Sequence, residues 1–161
     1  MIIEGKFTLE DATIQDVWEF LLKPETLMSC VPGAEKMEAV DDRTYDSVVK
    51  QKVGPVSAKF WFTTTLTELD PPHYLKAVGR GADVGKAGTF TQESTVSLAE
   101  LSSNSAATAV EISYRSNVSL VGKLATFGDR TLRAKAKELE EELTKNLQER
   151  LRSEVADKAK G

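Results

Sequence analysis

The sequence predicts an α+β fold of the helix-grip kind: a seven-stranded antiparallel sheet curved around one long C-terminal helix, with two short helices after the first strand. Three observations carry this. Runs with a period of two are punctuated by Gly, Pro and Asp turn signals through most of the chain. Two short helical patterns, split by Pro24, follow the first such run. A stripe of Leu at helical spacing fills the C-terminal part.

The first strand is "IIEGKFTLED". Ile3, Gly5, Phe7 and Leu9 fall on one side, and Glu4, Lys6, Thr8 and Glu10 on the other. Thr13, with Asp16 three residues on, is a variant of the capping box and opens a helix through Val17, Phe20 and Leu21. Pro24 breaks that helix and suits the first position of the next, "PETLMSCV", which Pro32-Gly33 stops. Six further strands follow: "AEKMEAV", "RTYDSVVKQKV", "VSAKFWFTTTLTEL", "HYLKAVGRG", "TFTQESTVSLAEL" and "TAVEISYRSNV". Asp41-Asp42, Gly54-Pro55, Asp70-Pro71-Pro72, the glycine-rich "GADVGKAG" and the polar "SSNSAA" are the turns between them. A helix from about Leu120 to Val155 carries Leu132, Ala136, Leu139, Leu143, Leu147 and Leu151 on one stripe, with Glu and Lys on its other faces. It is the one element large enough to cover the sheet. Residues 1–161 are expected to form a single ligand-binding domain.

Parity lists the inner face: Tyr45 to Val53, Ala58 to Leu66, Leu75 to Gly79, Phe90 to Leu98 and Val110 to Tyr114, taking alternate residues. None of these is Asp, Glu, His, Lys or Arg, so the sheet is expected to supply no general acid or base and no activated nucleophile. The set suits either a solid core in which Gln51, Gln92 and Tyr114 satisfy one another, or an apolar pocket with a few orienting polar groups. Small residues facing aromatic ones lean toward the pocket. Its expected lining is Val49, Phe60, Phe62, Leu66, Phe90, Gln92, Tyr114, Leu124 and Phe127.

Other motifs point away from catalysis. The formal net charge is −4, with both signs interspersed, which argues against nucleic acid as a partner. One His and one Cys cannot build the usual zinc site. Cys30 reads as a small residue in a tight corner, and His73 as a surface turn residue. "GRGADVG" does not fit a phosphate-binding loop and reads as a hairpin. Trp61 has the parity of Lys59 and Thr63 and so points away from the grip; packing is the favoured role for it and for Trp18, with part of a contact surface as the alternative. The N-terminus does not read as a secretory signal and no window is apolar enough to span a bilayer, so a cytoplasmic protein is expected.

The segments "VWEFLLKPETLMSCVPGAE", "YDSVVKQKVGPVSAKF" and "SNVSLVGKLATFGDRTL" resemble the carbon monoxide dehydrogenase CoxG family of the START-like, or SRPBCC, superfamily. The resemblance runs from Met1 to about Leu151. It implies a non-enzymatic accessory protein of an aerobic molybdenum CO dehydrogenase or related hydroxylase, acting in its membrane recruitment and electron hand-over. It implies a lipophilic ligand, a quinone being the reasonable guess, with no covalent or metal cofactor. Peripheral contact with the inner face of the cytoplasmic membrane follows. The rivals are an assembly factor with a solid core and a START-like enzyme of the cyclase or hydrolase type. Some members carry an extended tail after the long helix, and this chain stops at Gly161. A helix from Leu120 to Val155 would extend about 54 Å, against roughly 40 Å for a compact domain of this size. Residues 150–161 are therefore expected to project, leaving Leu151 and Val155 without a core.

Overall fold

The computed structural model describes residues 1–86, 88–102 and 108–160, and at 102 and 155–160 it describes the backbone alone. The chain runs β1 (Ile2–Glu10), α1 (Ile14–Leu21), α2 (Pro24–Cys30), β2 (Ala34–Ala39), β3 (Thr44–Val53), β4 (Val56–Asp70), β5 (Tyr74–Asp83), β6 (Gly88–Ser102) and β7 (Thr108–Gly122). A 3-10 turn, Lys123–Phe127, then leads into α3 (Gly128–Lys160). The strands form one antiparallel sheet in the order β1-β7-β6-β5-β4-β3-β2. The backbone of α3 approaches β1 at one edge and β3 next to the other, so the sheet curls around the helix.

Local signals act as read. In β1 the even residues from Glu4 onward are exposed and Leu9 is fully buried, which sets its register against β7 from Ile2↔Asn117 to Glu10↔Ala109. The Thr13 hydroxyl accepts a hydrogen bond from the Asp16 amide at 3.2 Å and caps α1. Pro24 starts α2, where its missing N–H costs nothing. Asp41 accepts from the Arg43 amide at 2.9 Å in the β2–β3 turn.

Four expectations need correction. The β5 strand, read as "HYLKAVGRG", runs two residues further, to Asp83, and Gly81 is an in-register partner of both Phe62 and Phe90. A Cβ at Gly81 would collide with Phe62 and with the Trp61 carbonyl, so glycine here serves close packing inside a strand. The β7 strand runs on to Gly122, and α3 begins at Gly128 rather than near Leu120. Gly122 (φ 88°) and Gly128 (φ 79°) adopt backbone angles that favour glycine, and they break the chain on either side of the 3-10 turn. Trp18 is buried as expected, but Trp61 is 54% exposed on the outer face of the sheet.

The fourth correction concerns the end of α3. Leu147 and Leu151 are buried and belong to one core cluster with Leu9, Val17, Phe20 and Cys30. Gln148 bonds both the backbone N–H and the C=O of Glu10, Asn146 donates to the Cys30 carbonyl, and Arg152 pairs with Glu10 and Asp11. The helix does not outrun the domain here, for two reasons: α3 starts later than expected, and α1 and α2 extend the base on which its C-terminal half rests. Residues 150–154 are therefore docked. The side chain of Val155, and the "SSNSAA" loop except for Ser102, lie outside the described residues.

Candidate ligand site inside the grip

The interior divides in two. One end is packed: α1, α2 and the C-terminal half of α3 close over Leu66, Leu75, Leu98, Val110 and Ile112. Leu66, expected to line a pocket, belongs to this packed end. The other end is differently built. Phe60, Phe62, Phe90, Gln92 and Tyr114 have inward parity there, and they and Phe127 are half-buried and outside the packed cluster. Val49 and Leu124 are buried beside it, at 7% and 3% exposure. Leu124, on the 3-10 turn, lies next to Gly88 and closes the rim where β6 begins.

The looser packing has its origin in β5. Of its inward positions Ala77, Gly79 and Gly81, in the middle of the sheet, Ala77 packs against the core cluster and Gly81 makes room for Phe62, which leaves Gly79. A Cβ built at Gly79 would meet only Thr64 Oγ1 at 3.6 Å and the Thr63 carbonyl at 3.7 Å, and no atom of α3. A straight helix over a curved sheet thus brings no described α3 atom within 4 Å of that position on the central strand. Phe62 and Phe90 lean across Gly81 with ring centroids 5.7 Å apart, and Phe60 meets Phe90 edge-on at 5.6 Å. The three rings form an aromatic wall.

Polar groups face the same space. Gln92 Nε2 donates to Ser94 Oγ at 2.6 Å, and the Ser94 and Ser116 hydroxyls, opposite one another in register, are 2.7 Å apart. Tyr114 Oη donates to Glu140 Oε2 of α3 at 2.9 Å. Gly5 lies opposite Tyr114 on β1 and makes room for this pair, since a Cβ there would sit 2.8 Å from the Tyr114 oxygen and 3.2 Å from Glu140 Oε1. Burial, then the Glu140 carboxylate, push the Tyr114 phenol up to about 12. The phenol is therefore a neutral donor at physiological pH.

The interior is thus not free of ionisable groups, as parity on the sheet alone suggested. Glu140 comes from the helix, four residues after Ala136 and three before Leu143, which places it on the inner stripe. Asp83 is 8% exposed and accepts from the Lys59 amide at 2.9 Å. It has the inward parity of Gly79 and Gly81, and the expected strand end hid it. Counting parity four residues further on β5 and two further on β7 would have found Asp83 and Ser116.

Elsewhere the chemistry is quiet. Cys30 is buried at the end of α2, and burial pushes its thiol up. His73 lies exposed in the β4–β5 turn. Among the described residues no group of His, Cys, Asp or Glu is arranged to hold a metal ion. A surface depression of about 660 Å³ lies between α2 and β2, walled by Pro24, Met28 and Met37. It is open to solvent and separate from the grip interior.

The CoxG family of carbon monoxide dehydrogenase matches residues 5–152. No curated protein matches the chain. Among solved structures, a conserved protein from Geobacillus kaustophilus is 22% identical, with a TM-score of 0.85 over 95% of this chain and 96% of that one. A START superfamily protein from Mycobacterium smegmatis is 14% identical, with a TM-score of 0.66 over 94% of this chain and 97% of that one. The ZhuI aromatase/cyclase from Streptomyces sp. R1128 is 12% identical, with a TM-score of 0.61 over 96% of each chain. At these identities the likeness establishes the START-like fold.

Proposed function

The chain belongs to the carbon monoxide dehydrogenase CoxG family, and from that premise we propose that it is a non-enzymatic carrier of a lipophilic ligand for an aerobic molybdenum CO dehydrogenase or a related hydroxylase. The ligand class is an isoprenoid quinone, which links such an enzyme to the respiratory membrane. The place of action is the cytoplasmic membrane surface. Among the described residues no helix is long and apolar enough to cross a membrane, so the proposed contact is peripheral.

The observation that carries this reading is that no described α3 atom comes within 4 Å of a side chain at Gly79, beside the rings of Phe60, Phe62 and Phe90 and the polar Tyr114, Glu140, Gln92 and serine pair, which on this reading is a hollow for a ligand. Small-molecule sites have this composition: apolar walls with a few convergent polar groups. An aromatic wall suits a flat ring, and the phenol donor suits a ring carbonyl. The START-like enzyme reading draws on one feature, the Tyr114–Glu140 pair, which is a titratable constellation facing the hollow.

The test is binding of a short-chain quinone to the purified protein by calorimetry or equilibrium dialysis. Phe62→Trp fills space beside Phe90 and should weaken binding by about tenfold or more, as expected for over-packing worth about 1–3 kcal/mol, while the melting curve stays cooperative. Absence of quinone binding, or binding untouched by Phe62→Trp, refutes the carrier. Recovery of a chemically altered ligand would favour the enzyme.

A further inference from the structure

The outer face of the sheet carries a feature that ligand carriage does not use. Val48, Trp61, Ala82, Thr89 and Val121 are successive register partners across β3, β4, β5, β6 and β7. Partners in register share a face, so they form one row, about 19 Å long at the usual strand spacing. Trp61 is 54% exposed and Val121 64%. Val84, 63% exposed, stands at the tip of the adjoining β5–β6 turn, where its amide bonds the Lys59 carbonyl. These are three of the six large apolar side chains that the described structure exposes, gathered at the end of the sheet that borders the hollow.

Charge around the row is mainly positive. Arg80 and Lys123 stand two residues along the chain from it, Lys86 lies in the adjoining turn and Lys52 four residues from Val48; all four are exposed and form no ion pair among the described residues. Of the nearby carboxylates, Glu35 pairs with Lys59 at 2.8 Å, and Asp46, which accepts from Thr63, is outnumbered by these cations. Further along the same face the charges pair off, Lys76 with Glu93 and Arg115 with Glu4. The chain as a whole carries −4, so this cationic end runs against the balance of the molecule.

We propose that this end of the outer face, with Trp61, Val84 and Val121 as its apolar contacts, is the surface by which the protein docks on an anionic phospholipid bilayer. Three features favour lipid over a protein partner. Trp is enriched at the membrane–water boundary, where one part of the ring is apolar and the other wet. The cations are mostly Lys, which protein interfaces deplete and anionic leaflets attract. The row also borders the rim closed by Leu124, so docking there sets the hollow beside the bilayer from which a lipophile comes. The proposal rests on the carrier reading for its purpose but not for its test.

The test is co-sedimentation of the full chain with vesicles of phosphatidylcholine alone or mixed with phosphatidylglycerol. Binding should require phosphatidylglycerol and weaken as salt rises. Lys86→Gln with Lys123→Gln should lower affinity about 30-fold, each cation contributing a factor of about five near an anionic surface. Trp61 emission should shift to the blue on binding, and Trp61→Phe should abolish the shift, since Trp18 is buried in either state. Short-chain quinone uptake in solution should be unchanged in all three substitutions. That separates failure of this surface from failure of the carrier reading. Absence of phosphatidylglycerol-dependent binding, or binding indifferent to Trp61 and the two lysines, overturns the proposal. So does loss of association with a purified molybdenum hydroxylase in these variants without vesicle binding, which would assign the face to a protein.

Discussion

Replacing Tyr114 with Phe removes one oxygen from the grip interior and leaves the ring in place. That oxygen donates to Glu140 at 2.9 Å, and the phenol is raised from about 10 to about 12 by burial and by that carboxylate. Two units correspond to about 2.7 kcal/mol at full strength. Because the side chain is only half-buried, solvent screening leaves about 1–2 kcal/mol. The folded pKa lies above the unfolded one, so this contribution is complete below pH 10 and disappears as pH rises through 12. Urea unfolding of the wild type and Tyr114→Phe at pH 8 and near pH 11.5 isolates it, since the deprotonation of lysines is common to both proteins. At pH 8 the variant should be less stable by about 1–2 kcal/mol. At the alkaline pH the gap should shrink by at least half. A gap that is constant across pH, or zero at pH 8, would refute the hydrogen bond between sheet and helix as a stabilising contact.

Other expectations follow from the packed end and the closed corner. Leu151→Ala should cost about 2–5 kcal/mol and roughly 6–15 °C in Tm, since Leu151 is 2% exposed within the core; a drop of under about 2 °C would mean that the end of α3 is not docked. Cys30→Ala should cost at most about 1–2 kcal/mol and leave quinone binding intact. In the native protein a thiol reagent should label Cys30 only slowly, because the side chain is buried and its pKa is raised; fast labelling would refute the buried reading.

Much of the fold was legible because it is written in local periods. β1 alternates cleanly, Thr13 and Pro24 mark two helix starts, and the Leu stripe marks α3. Parity also selected the three rings that meet one another: Phe60, Phe62 and Phe90 share a face and make edge-on contacts. What parity missed came from strand ends. Glycines in "GRG" read as the edge of a loop, yet Gly81 is needed inside β5 so that Phe62 and Phe90 can meet. The early strand end hid Asp83. Val118 and Leu120 fit the end of a strand and the start of a helix equally well, because a short apolar run suits either period.

By itself, then, the sequence determined which residues share a face, since that follows from the geometry of one strand or one helix. It determined the element order and, through its motif segments, the family. Only the tertiary structure decided what crosses between elements. It brought Glu140 of α3 against Tyr114 of β7, docked Leu151 on a base built from α1 and α2, and kept every described α3 atom more than 4 Å from a side chain at Gly79. It also set Trp61, outward by parity, in line with Val121, which lies 60 residues further along the chain. Each of these depends on how a straight helix fits a curved sheet, and that fit is set by contacts between residues far apart in the chain, which no local period records.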